Sequence, residues 1–159
     1  MTTLVWIAFL LMEIVGLFKV LGQSACGNIT STAVCRCLKN SDGTWKVNCS
    51  GLGLSVLPND IPVNTTYLYA EHNNLTEISH DTLLRLQHLR YIVLDANKMT
   101  TLPKFPKEII NIYASYNNIQ SIDGAFDGLT SLFQVEMNHA RVKVIKNTTF
   151  KDNLNLYRM

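Results

Sequence analysis

The stretch LRYIVLDANKM, residues 89–99, sets apolar side chains at Leu89, Ile92, Leu94 and Met99 and an asparagine at Asn97. Alternate side chains of a strand share a face, so Ile92 and Leu94 point one way while Tyr91, Val93 and Asp95 point the other. Asn97 follows, where the chain must turn. A buried side-chain amide there satisfies backbone groups that the turn leaves unpaired. The pattern recurs as Ile109, Ile112, Ala114, Asn117 and Ile119, and as Thr65, Leu68, Ala70, Asn73 and Leu75, with a polar residue in the leading slot. A fourth copy reads Leu132, Val135, Met137, Ala140 and Val142. The copies are spaced by 24, 20 and 23 residues. Ala140 carries no amide, which predicts a looser fourth turn.

A second ladder leads into these copies. Leu83, Leu86, Leu89 and Ile92 are spaced by three, as are Phe126, Leu129, Leu132 and Val135, and then Phe150, Asn153, Leu156 and Met159, where only Asn153 departs. The other two copies begin instead with prolines, LPNDIP at 57–62 and LPKFP at 102–106. Proline suits an extended connector. The chain therefore alternates longer and shorter repeats. One repeat cannot bury its apolar face alone, but stacked repeats can. The spacing and the L-x-x-L-x-L-x-x-N-x-L order match the leucine-rich repeat pattern. They predict an α/β-type right-handed solenoid, with a parallel sheet on the concave face and a mostly irregular, short-helix convex side.

The rest of the chain fits around that core. An uncharged apolar run fills residues 1–12, Glu13 interrupts it, and small residues follow at Gly22, Ser24 and Ala25. This reads as a secretory signal peptide over residues 1–22, cleaved near Gly22–Ser24. No later segment is apolar enough to span a membrane. Net charge is +2 over 159 residues, too mild to argue for a nucleic-acid partner. An exported chain meets an oxidising compartment, where four cysteines permit three disulfide connectivities. The spacing C-x8-C-x-C-x11-C matches neither the two close pairs of a structural zinc site nor a C-x-x-C redox motif. A metal or redox role for the cysteines is the remote alternative to a staple. Export also gives meaning to the Asn-x-Ser/Thr triplets at Asn28, Asn64, Asn74 and Asn147. The triplet at Asn48 is the weakest, because Cys49 is its middle residue.

With the phrase VNCSGLGLSVLPNDIP following a C-x-C pair, residues 26–159 resemble the extracellular leucine-rich repeat family with a cysteine-rich N-terminal cap. The resemblance implies the disulfides Cys26–Cys37 and Cys35–Cys49, no cofactor, and a protein-binding role. The alternating repeats look most like the small leucine-rich matrix proteoglycans; Toll-like and other receptor ectodomains are also similar. The expected organisation is a cap over residues 26–58, then repeats at 65–88, 89–108, 109–131 and 132–155. A fifth repeat, 156–159, is expected to reach only the point where its strand should begin, as in either a partial sequence or a short isoform that leaves an exposed edge.

The repeat register selects the side chains of the concave face. They are Tyr67, Tyr69 and Glu71; Tyr91, Val93 and Asp95; Asn111, Tyr113 and Ser115; and Gln134, Glu136 and Asn138. His72, Tyr116 and His139 lie just past the strands. Five of the six tyrosines fall on or beside this face. Tyrosine combines a large contact area with a polar tip and is favoured at interfaces. The expectation is a secreted, non-catalytic module binding an extracellular protein or matrix component. A receptor-ectodomain fragment is the alternative. The four histidines share no metal-ligand spacing, and no phosphate loop, G-x-S-x-G or H-E-x-x-H motif occurs.

Overall fold

The computed structural model describes residues 24–27 and 33–159. The expected signal peptide and Asn28 lie outside them. Six strands form one sheet in chain order: β1 (Arg36–Lys39), β2 (Trp45–Asn48), β3 (Thr65–Tyr69), β4 (Tyr91–Val93), β5 (Asn111–Tyr113) and β6 (Gln134–Glu136). The β1–β2 pair is antiparallel and all later pairs are parallel. Among the described residues one short helix, α1 (His80–Leu84), lies on the chain between β3 and β4. Beyond β6, Arg158 bridges in parallel to Gln134, opening the next turn of the solenoid. Among the described residues no helix is long and apolar enough to cross a membrane.

The register stacks Leu68, Ile92, Ile112 and Val135 in one column, and all four are fully buried. Leu89, Ile109 and Leu132 precede them at zero exposure, and Leu75, Met99 and Ile119 follow at zero exposure. Thr65 occupies the leading slot of the first repeat and is also fully buried. Its hydroxyl donates to the Pro62 carbonyl at 2.6 Å, which removes the cost of placing it there.

The spacing of three has a hydrogen-bond origin. Leu86 N–H donates to Leu83 C=O and Leu89 N–H to Leu86 C=O, and the same two steps run Phe126–Leu129–Leu132 and Phe150–Asn153–Leu156. Each is a tight turn whose i and i+3 side chains eclipse one another, so every third residue faces the core. The proline-led repeats keep the last of these bonds, with Pro62 accepting from Thr65 and Pro106 accepting from Ile109. Proline lacks a donor but keeps its carbonyl, so it closes the turn as an acceptor.

Two disulfides close the N-terminal end, Cys26–Cys37 and Cys35–Cys49, with Cα separations of 5.4 and 4.5 Å. The first ties the incoming chain to β1, and the second ties the start of β1 to the end of β2. Ala25 beneath them is fully buried, and its N–H donates to the Asp60 carboxylate at 2.8 Å. The β1–β2 hairpin turns on Gly43, at φ 83°, while Asp42 accepts from both the backbone and the hydroxyl of Thr44. The strand β1 is not among the elements expected from the sequence. Its signal was the Asp42-Gly43 pair, a turn favoured between antiparallel strands.

Candidate binding face

Each repeat leaves its strand through a residue of left-handed backbone: His72, Ala96, Tyr116 and His139, at φ between 52° and 59°. The asparagine follows at once. Asn97 Nδ2 donates to Ala70 C=O in the preceding repeat at 2.9 Å and to Leu94 C=O in its own at 3.0 Å, while its Oδ1 accepts from Leu75 N–H. Asn117 repeats this one turn on, with Leu94 C=O, Ala114 C=O and Met99 N–H. Asn73 reaches Cys49 C=O and Ala70 C=O, and its Oδ1 accepts from Leu52 N–H and Leu54 N–H of the cap. Each amide clamps two repeats and fixes the strands beside it. In the fourth repeat His139 keeps the left-handed turn, but Ala140 offers no amide to Ile119 N–H. Met137 and Val142 are there only half-buried, where their counterparts Leu94 and Met99 are fully enclosed.

The side chains opposite the core form three columns across the sheet. Tyr67, Tyr91, Asn111 and Gln134 make the first, and Tyr69, Val93, Tyr113 and Glu136 the second. Glu71, Asp95, Ser115 and Asn138 continue the same alternation just past the strands. The Tyr67 and Tyr91 rings lie 5.2 Å apart, and those of Tyr91 and Tyr113 6.5 Å apart. Tyr67, Tyr69, Tyr91 and Tyr113 are all half-buried, each lending part of its ring to the surface. Burial holds the Tyr91 phenol above the usual range, with the neighbouring tyrosines adding to the effect. Asn111, expected on this face, is instead buried at 3 % exposure. Its short side chain sits in register between Tyr91 and Gln134, and its Nδ2 donates to Gln134 Oε1 at 3.1 Å. Ser115 is buried as well; its hydroxyl accepts from Asn138 N–H. Tyr116 is 60 % exposed and stacks on His139 at 4.5 Å, at the border of the face.

Acidic groups flank the tyrosines. Asp95 Oδ1 accepts from Ser115 N–H at 2.6 Å. Burial raises the Asp95 pKa above its ordinary value; the Ser115 bond opposes this, and Glu71 and Glu136 add to it. Glu136 accepts from Gln134 Nε2 and lies 3.7 Å from the Arg158 guanidinium. Glu71 Oε2 is buried without a hydrogen-bond partner, as is Ser50 Oγ of the preceding turn. An open polar groove runs beside Tyr67, between the hairpin residues Asn40–Thr44 and His88 and Arg90. Among the described residues no group of three or more His, Cys, Asp or Glu side chains is arranged to hold a metal ion. The geometry offers aromatic surface, hydrogen-bond acceptors and negative charge on a rigid sheet.

The chain folds as a leucine-rich repeat solenoid closed at its N-terminal end by a disulfide-stapled cap. It resembles human leucine-rich repeats and immunoglobulin-like domains protein 1, with 27% identity over 74% of this chain and 11% of the relative. It is 32% identical to human oligodendrocyte-myelin glycoprotein, over 64% of this chain and 24% of the relative. Biglycan of Sus scrofa is 27% identical, over 64% of this chain and 47% of the relative. The chain thus spans less than half the length of each. A solved chain from the octameric complex of Latrophilin 3, Unc5D and FLRT2 (LRR) has the same fold, with a TM-score of 0.69, 24% identity, and coverage of 80% of this chain and 39% of that one. No family model matches the sequence.

Proposed function

We propose that this chain is a non-catalytic, extracellular protein-binding module that engages its partner through the concave face, within a secreted protein of matrix type. The observation that carries the reading is the run of neighbouring rings Tyr67, Tyr91 and Tyr113, half-buried on a sheet whose turns are clamped by the asparagine ladder. Rings held in place by their neighbours lose little entropy on binding, and tyrosine is enriched where interfaces concentrate their energy. The triplets at Asn64, Asn74 and Asn147 supply glycan sites next to β3, in the turn after it and on the connection that follows β6. None of these asparagines is in the three concave columns, so glycans there leave the face free. The two disulfides suit an oxidising compartment.

The reading is tested by presenting the secreted chain to an array of extracellular proteins beside two double variants. Tyr67→Ala/Tyr91→Ala removes the concave rings, and Gln87→Ala/Lys151→Ala alters exposed positions elsewhere. We expect a partner whose affinity falls by about tenfold or more in the tyrosine variant and is unchanged in the other. Equal binding by the wild type and the tyrosine variant would overturn the assignment of the face.

A further inference from the structure

The concave columns are not uniform. In the second, Val93 stands between Tyr69 and Tyr113. Adjacent strands lie about 4.8 Å apart, so these two tyrosines rise about 10 Å apart with a short side chain between them. In the register this leaves a slot over Val93, the shorter side chain, flanked by Tyr69 and Tyr113. Glu71 and Asp95 stand just past the ends of the neighbouring strands β3 and β4, two residues beyond Tyr69 and Val93. Neither carboxylate has an ion-pair partner among the described residues, and Glu71 Oε2 is buried without any donor.

Both ends of the same face already carry a cation from this chain. Lys46 Nζ sits 4.9 Å from the Tyr69 ring centroid, and Arg158 pairs with Glu136. Between these two cations, Glu71 and Asp95 are ion-paired to no cation among the described residues, although the Tyr69 ring already carries Lys46. Lysine and arginine lay an aliphatic stem on apolar surface and send the charged head to an anion, and aromatic faces favour a cation beside them.

We propose that the face receives a lysine- or arginine-bearing segment of a protein partner, one cationic side chain of which lies over Val93 between Tyr69 and Tyr113 with its head on Glu71 and Asp95. This rests on the concave-face reading above and specifies the chemistry of its partner. Charge complementarity selects a basic segment over an acidic or neutral one.

The probe is a fluorescein-labelled octa-arginine peptide, titrated with the intact secreted chain and followed by anisotropy in low and moderate salt. Glu71→Gln/Asp95→Asn removes the charge isosterically, and Val93→Phe fills the slot. Glu77→Gln/Asp81→Asn makes the same change in net charge on carboxylates away from the face. Saturable binding is expected, weakened about tenfold or more by the first variant and at least several-fold by Val93→Phe. The off-face variant should stay within about twofold of the wild type. Equal weakening by both charge variants would reduce the effect to bulk electrostatics and overturn the proposal, as would the absence of saturable binding. Sedimentation equilibrium adds a further arm: a wild-type dimer dissociated by Glu71→Gln/Asp95→Asn would make the occupant a second copy of this chain and also overturn it. If the array partner is lost in Tyr67→Ala/Tyr91→Ala but retained in Glu71→Gln/Asp95→Asn, the concave reading stands and the cation slot fails. If both variants retain it, both fail.

Discussion

At the residue scale the asparagine ladder carries much of the order. Asn97 satisfies two carbonyls and one N–H, all buried. Asn97→Ala leaves the Leu75 N–H without a partner and takes one of two amide donors from each carbonyl, Ala70 C=O keeping Asn73 and Leu94 C=O keeping Asn117, and we expect a loss of about 1–3 kcal/mol in urea unfolding. Ala140→Asn runs the other way, restoring a donor and acceptor to the fourth turn over Ile119 N–H. We expect a gain of about 1 kcal/mol, read from the same midpoints. Asp95 gives a prediction with a pH signature. Its folded pKa is raised, so the folded chain holds the proton more tightly than the unfolded chain. Its contribution therefore becomes unfavourable as pH rises from the ordinary aspartate value through the raised one. Asp95→Asn keeps an oxygen for Ser115 N–H and removes the charge. The variant should be slightly more stable at pH 7, by less than about 1 kcal/mol because the group is partly exposed and screened. The difference should vanish at pH 3, where the carboxyl is neutral in both states.

At the element scale the cap and the turns divide what was legible from what was not. The strands of the four repeats follow from the alternation around Leu68, Ile92, Ile112 and Val135, because a period of two over a buried column has one structural reading. The prolines at 62 and 106 announced irregular connectors, but that each closes the same i to i+3 turn as Leu86 and Leu129 emerges only from the backbone. Asn153 looked like a break in its ladder. It is instead buried, with its amide donating to Phe126 C=O and Leu129 C=O, a role that depends on neighbours a whole repeat away. The hairpin strand β1 went unread because Arg36–Lys39 shows little apolar alternation and is held by disulfides rather than by burial. Its dependence on those staples is testable. Cys35→Ser/Cys49→Ser opens a 14-residue separation, and we expect a loss of about 3 kcal/mol, with β1 and β2 amides exchanging ahead of the repeats.

At the scale of the whole molecule, the solenoid turns a local rule into a surface. One strand offers three outward side chains, while four in register offer the columns that line up Tyr67 with Tyr91 and set Val93 between Tyr69 and Tyr113. The columns themselves were legible, because register follows from the repeat. The burial of Asn111 was not, since it depends on the lengths of the Tyr91 and Gln134 side chains beside it. The place of Val93 between Tyr69 and Tyr113 was legible with the columns, since it follows from the same register. The central claim is that this face is the contact surface. Hydroxyl-radical footprinting of the chain, alone and saturated with its bound partner, tests that claim most directly. The account predicts protection of Tyr67, Tyr69, Tyr91 and Tyr113, with Leu84 and Leu154 on other surfaces unchanged. Protection of Leu84 or Leu154 with the four tyrosines still fully reactive would contradict it.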